Sequence, residues 1–313
     1  MRKLLKSFTC LLLVFVFCFS FTGCTKELIF VPLIDFGTQP AVDGSEGSFA
    51  SYQWTADEII NNLYEPLREQ NPNYITRTNL GKEESGTYDM WEYVFTPENP
   101  VQTVWIDTGM HSREKDSMFA VARIMHLITN EYQGNEALTY LREKVKFVII
   151  PIVNPWGISE PRPKNDNVFC GKNLNWTFNK DNKPVEAQVL LERFNLVKNE
   201  LSFALDVHST TNNTYGHYSY RYGNEEIRTI AVLDNVISQL VEKNVTGEAD
   251  LHFIGKSNPA CFTQVCYTNG FENIFTIEHS DYVWDDVLNT SLAMTKAVEY
   301  IGNCIYALAV QEL

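Results

Sequence analysis

The sequence predicts an α/β fold, a single domain with a mixed, mostly parallel central β-sheet flanked by helices. Three observations predict it. Apolar strand patterns alternate with helical ones from Val101 onward; one of them, Val145–Val153, is a continuous apolar run of the kind that is buried on both faces of a sheet; and no internal repeat or second linker divides the chain. At 313 residues, 44% hydrophobic and 20% charged, the chain suits one large globular domain and excludes a disordered one.

The elements follow in order. Residues 1–23 open with Arg2, Lys3 and Lys6, run through an apolar Cys10–Phe19 core and close on Phe21-Thr22-Gly23-Cys24, the layout of a bacterial lipoprotein signal peptide. Cleavage before Cys24 and lipidation of that residue are expected, which places the protein outside the cytoplasmic membrane as a lipid-anchored envelope protein. An ordinary secretory signal or an uncleaved anchor is the alternative, since Phe21 stands where such signals usually carry Leu. Residues 24–51, with Gly37, Pro40, Gly44, Ser45, Gly47 and Ser48, read as a tether, and residues 52–313 as the domain.

Thr55-Ala56-Asp57-Glu58 forms a capping box ahead of Ile59, Ile60, Leu63 and Leu67, so a first helix runs to about Gln70, with Pro66 marking a kink or an early end. Tyr74–Leu80 and Trp91–Phe95 read as a hairpin across Gly81–Tyr88. Strands then fall at Val101–Thr108, Val145–Val153, Leu201–Val207 and Asn273–Ile277. Helices fall at Arg113 to about Tyr132, Pro184–Asn199, Glu225–Lys243 and Leu288–Ala309.

The 25 basic against 39 acidic side chains, with no basic run, exclude a phosphate-neutralising groove, so nucleic acid is not an expected partner. Cys170, Cys261, Cys266 and Cys304 are either one or two disulfides of an exported protein or buried free thiols. Cys261-x4-Cys266 has no second pair and is not read as a zinc site.

Polar, coordinating residues gather just after the four central strands: Gly109-Met110-His111-Ser112-Arg113-Glu114, Asn154-Pro155-Trp156-Gly157, Asp206-Val207-His208-Ser209 and Glu278-His279-Ser280. Ligands bind at that edge of open α/β sheets. Residues three apart at the start of a helix share a face, so His111 and Glu114 can close on one ion with His208 as a third ligand; three N/O ligands and an open fourth position describe a catalytic zinc. Taken alone, His111-x-x-Glu114 reads rather as a helix-start histidine with a glutamate serving the dipole, and His208 as a strand-end histidine satisfied by backbone.

In these segments, together with Pro151–Gly157, Gly171-Lys172-Asn173-Leu174-Asn175 and Phe275-Thr276-Ile277-Glu278, the chain resembles the zinc carboxypeptidases of the M14 type, in family order across most of residues 55–300. The resemblance implies one zinc per chain held by His111, Glu114 and His208, with Glu278 as general base. It also implies Arg162 as the cation that stabilises the oxyanion, and Arg113 and Asn175 in the substrate groove. Asp206, two residues before His208 on the same strand face, is either a support for that ligand or merely structural.

Two departures stand out. The family's asparagine matched by Asn175 is followed by an arginine that grips the substrate carboxylate, whereas Trp176 follows here, with no charge and one N–H. Lys172 or Arg221 is a candidate replacement. The position of the family's mobile tyrosine falls near Lys256, and Tyr267 better matches a packing residue. The alternating aromatics of Tyr215–Tyr222 form either a substrate wall or half-buried strand residues.

The expected activity is zinc-dependent release of C-terminal residues from a peptide substrate. The alternatives are a cell-wall peptide amidase or endopeptidase, an amino-acid deacylase, or a non-catalytic peptide- or glycan-binding lipoprotein. The oligomeric state is not encoded in any feature of the sequence.

Overall fold

The computed structural model describes residues 30–42, 53–160, 168–210, 216–219, 228–243, 245, 258–280 and 291–311. Val31–Leu313 is the compact unit that carries every element below. Cys24 and Arg162, the tyrosines Tyr215 and Tyr222, and Arg221 and Lys256 lie outside the described residues.

Helix α1 has three successive parts: Ala56–Ile59, a π-helical turn Ile60–Tyr64, and Glu65–Gln70. Its start is the capping box read from the sequence, with Thr55 Oγ1 accepting from Glu58 N at 3.3 Å and Glu58 Oε2 accepting from Thr55 N at 2.7 Å. Pro66 does not end the helix. The wider turn before it delivers the Glu65 N–H to the Ile60 carbonyl, and the helix resumes around a proline that has no N–H to place.

Seven strands form one sheet in the order β1-β2-β4-β3-β5-β7-β6. They are β1 Ile75–Lys82, β2 Asp89–Phe95, β3 Gln102–Thr108, β4 Val145–Ile150, β5 Phe203–Thr210, β6 Gly216–Ser219 and β7 Ile274–Ser280. The centre, β4-β3-β5-β7, is parallel, while β1, β2 and β6 pair antiparallel at the edges. The remaining helices are α2 Lys115–Asn130, α3 Glu136–Lys144, α4 Pro155–Ser159, α5 Val185–Val197, α6 Arg228–Glu242, α7 Phe262–Thr268 and α8 Ser291–Ala309. Helices α3, α4 and α7 have no counterpart among the elements expected from the sequence, because each is short and α3 has little apolar surface to set a period, whereas strand β6 falls within the Tyr215–Tyr222 stretch whose alternation allowed a strand.

On one face of the sheet Trp105, Val148, Ala204 and Ile274 pack on Leu190 and Phe194 of α5 and Phe262 of α7. Trp105 and Phe194 meet edge-on at 5.3 Å between ring centroids. Residues in between point to the opposite face, where α2 and α8 lie against β5 and β7.

The expected tether is corrected in part. Residues 31–42 belong to the domain, as a strap in which Val31, Ile34, Phe36 and Ala41 are buried. Asn303 of α8 accepts from Ile34 N at 2.6 Å and donates to Ile34 O at 3.1 Å, and Thr295 accepts from Gln39 N at 2.8 Å. Gly37, one of the residues that suggested a linker, lies between these anchors with φ +70°. The cysteine alternative also resolves: the four described cysteines are free thiols, Cys170 exposed and the other three buried.

Candidate active site

Strand β3 is followed in sequence by its neighbour β4 on one side, and the chain then returns to β5 on the other side of β3. The connections therefore part between β3 and β5, the position at which an open parallel sheet leaves a crevice at its C-terminal edge. Thr108 of β3 pairs with Val207 of β5, which places the turn after β3 beside His208, and His208 pairs with Glu278 of β7. Three adjacent strands bring His111, Glu114, His208 and Glu278 to the same edge of the sheet.

The turn itself is not helical, which corrects the expectation that His111 and Glu114 share a helix face. Glu114 caps α2 with φ −92° and ψ 49°, and its N–H bonds to His111 O at 3.2 Å, so a single tight turn brings the two side chains together. Gly109 makes that turn possible. Its φ is +67°, and a Cβ there would lie 2.8 Å from Met118 Sδ and 3.2 Å from Ile152 Cα. Asn154 braces the turn from β4: its N–H donates to Gly109 O at 3.0 Å, while its side chain caps α4 by accepting from Gly157 N at 2.9 Å. The sequence carries a signal for this cap, asparagine followed by proline at the first helical position, although the expected elements include no helix there. Its role at the site has no such signal.

His111 Nδ1 lies 2.7 Å from Glu114 Oε1, and His208 Nδ1 lies 2.8 Å from Glu114 Oε2. The two rings stand 4.8 Å apart. The backbone N–H of Ser209 adds a donor to Glu114 Oε2 at 3.3 Å. Burial alone would raise the Glu114 carboxyl, but the imidazoles on both sides hold it well below the usual carboxylate range. His208 Nε2 lies 2.9 Å from Asp206 Oδ1, the carboxylate–histidine arrangement that fixes a ligand's ring. Burial pulls the His208 imidazole down, and the carboxylates of Asp206 and Glu114 more than reverse it.

Asp107 of β3 pairs in register with Asp206 of β5, both buried, and accepts from Trp105 Nε1 at 2.5 Å. Burial, with Asp206 alongside, raises the Asp107 carboxyl well above its ordinary value. Glu278 is half-buried at the end of β7. Burial pushes its carboxyl up to about 8; the imidazoles of His208 and His111 draw it back only in part, and Glu114 and Asp206 oppose its ionisation.

Among the described residues, His111, Glu114 and His208 are the one group whose ligand atoms lie within 4.8 Å of one another. Two imidazoles and a carboxylate form the borderline donor set that suits zinc, and both imidazoles already turn the same nitrogen toward one point. The residues present therefore fit the metal. Arg113 is exposed on the same turn. Asn175 sits on a short 3₁₀ turn, Leu174–Trp176, where its Oδ1 accepts from Phe262 N at 3.2 Å at the start of α7. Trp176 is 62% exposed, and Lys172 donates to Asn182 O at 2.7 Å.

A family model for zinc carboxypeptidase matches residues 60–258, more than half of the chain, and the chain belongs to that family. Two curated relatives are carboxypeptidase A2 of Mus musculus, 24% identical over 150 residues, and carboxypeptidase A2 of Rattus norvegicus, 25% identical over 115. These alignments cover 44% and 36% of this chain but only 35% and 27% of the relatives, so the chain spans about a third of their length. Among solved structures, a metallo-carboxypeptidase from Burkholderia cenocepacia superposes with a TM-score of 0.62 at 15% identity, over 82% of this chain and 69% of that one. The carboxypeptidase A of Helicoverpa armigera gives 0.63 at 16%, over 87% and 78%. At these identities the shared property is the fold, a single α/β domain around a mixed sheet.

Proposed function

We propose that the protein is a zinc metallopeptidase that releases C-terminal residues from peptides. The observation that carries the reading is the registered triplet of strand ends, with His111 and Glu114 after β3, His208 on β5 and Glu278 on β7, around one point. His111, Glu114 and His208 would hold the zinc ion, which when bound would supply Lewis acidity toward an amide carbonyl and a water. Glu278 then takes a proton from the attacking water on its carboxylate and returns it to the leaving amine. Asp206 holds the His208 ring, and Asn154 and Gly109 hold the turn that carries His111. Family membership supports assigning Arg162 to the developing oxyanion and Arg113 to the substrate groove.

A second reading, hydrolysis of wall-peptide or N-acyl amino-acid amides, is favoured by one observation. The side-chain oxygen of Asn175 is committed to Phe262 N, and exposed Trp176 replaces a cation beside it. We further infer that the protein is exported and anchored by lipid on Cys24, on the strength of the basic and apolar pattern of residues 1–23. Among the described residues no helix is long and apolar enough to cross a membrane.

Metal analysis of the purified Thr25–Leu313 protein, paired with C-terminal release from mixed peptides with and without chelator, tests the activity. One zinc per chain with chelator-sensitive release supports the carboxypeptidase reading. Zinc with cleavage confined to wall-derived or N-acyl amides moves the assignment to the second reading, and absence of bound metal defeats both. The mass of the membrane-extracted protein tests the lipid.

A further inference from the structure

A cleft of about 270 Å³ opens between the strap, α1, α2 and α8, and none of its lining residues belongs to the metal centre. That volume lies near the lower end for sites that enclose a small ligand, about 300 Å³. Its floor is apolar, with Leu63, Pro66 and Met294, and the π-helical turn of α1 presents Asn62 and Leu63 to it. A π turn inside a helix is frequently found at a functional site.

The charge of the lining is unusual for this chain. The net charge is −14, yet no acidic side chain lines the cleft, and its charged and titratable groups are Arg123 and His126. Arg123 is held for recognition: its Nε donates to Gln39 Oε1 of the strap at 2.7 Å, leaving the terminal nitrogens to meet a carboxylate. They now meet Glu131, at 3.0 and 3.3 Å, and His126 Nε2 meets the same carboxylate at 3.0 Å. Glu131 stands at the rim with its side chain 47% exposed, so a carboxylate arriving from solvent reaches the same donors that Glu131 now occupies.

We propose that this cleft binds a small carboxylate with an apolar tail, of the size of a single amino acid. The ligand's carboxylate takes the place of Glu131 on Arg123, in the forked geometry a guanidinium favours, and its tail lies on Leu63, Pro66 and Met294. The site is separate from the peptidase centre and does not depend on that assignment.

Titration calorimetry of zinc-loaded and of chelator-treated protein with N-acetyl-leucine, N-acetyl-leucinamide and hexanoate tests it. Saturable binding of N-acetyl-leucine is expected in both preparations, with the amide weaker by about tenfold or more. Binding disappears in Arg123→Leu and in Ala122→Phe, which fills the cleft from α2. Hexanoate binding as tightly as N-acetyl-leucine assigns the tail to acyl chains, and hexanoate binding more weakly assigns it to amino acids. No saturable binding of either carboxylate, equal binding of acid and amide, or binding that survives Ala122→Phe overturns the proposal. Should Arg123→Leu fail to fold, Ala122→Phe decides. The readout needs no turnover, so a negative peptidase assay leaves it intact.

Discussion

Glu114 and Glu186 are the same residue at nearly the same place in a helix, Glu114 capping α2 and Glu186 in the first turn of α5, and each is almost wholly buried. Their carboxyls move in opposite directions. Glu114 lies between two imidazoles and is held low, whereas Glu186 is pushed up to about 7, chiefly by burial, with the carboxylates of Glu83 and Glu84 adding to it and backbone N–H groups opposing only in part. The position in the helix is common to both, so the helix dipole does not account for the difference. What separates them is a donor brought from elsewhere: His208 arrives on β5, 94 residues along the chain from Glu114. A buried carboxylate becomes a ligand where topology supplies imidazoles and a proton-holder where it does not.

Glu278 is pushed up further still, to about 8, by burial that the nearby imidazoles only partly offset, and altering it carries the largest expected effect. Glu278→Gln should lower kcat/KM on peptide substrates by about 10²–10⁴-fold while zinc content stays at the wild-type level, because the ligands are untouched. Unchanged turnover would remove Glu278 as the base. Glu114→Gln tests the other pole. Replacing the charge between two imidazoles should cost about 3–5 kcal/mol in the chelator-treated protein, read by urea unfolding, and should abolish stoichiometric zinc.

Glu186→Gln should act with the opposite sign. The folded carboxyl titrates near 7 against an ordinary 4.5, so the folded state holds a proton that the unfolded state releases. Stability contributed by this group is therefore full below about pH 4.5, falls as pH rises through the interval to 7, and stays reduced above it. The glutamine variant should be more stable than wild type by up to about 3 kcal/mol above pH 7. The gain should shrink to nothing near pH 4.5, and a gain constant across pH would show that ionisation of the buried carboxyl is not the cause.

The smallest effect concerns the strap, which touches neither glutamate. A Cβ on Gly302 of α8 would collide with the Phe36 ring. Gly302→Ala should cost about 1–3 kcal/mol and leave kcat unchanged. A comparable loss of kcat would show that the strap shapes the site.

The sequence by itself determined much of this protein. The capping box at Thr55, the long apolar strands and helices, and the placement of polar residues after each central strand were legible because they rest on local chemistry and on the 2.0 and 3.6 periods. That His111, Glu114 and His208 belong together was legible because the segments that carry them recur in the order of one family, and the structure brings their ligand atoms within 4.8 Å of one another. Tertiary structure decided the rest. That His111 and Glu114 meet through a turn, not along a helix, depends on a left-handed glycine packed against Met118 and Ile152. Residues 31–42 looked like a tether because their glycine and proline are local signals, whereas the hydrogen bonds from Asn303 and Thr295 that anchor them come from more than 250 residues away. The charge states of Glu114, Glu186 and Glu278 were likewise beyond the sequence, since a carboxyl's pKa is set by burial and by neighbours that only the fold brings together.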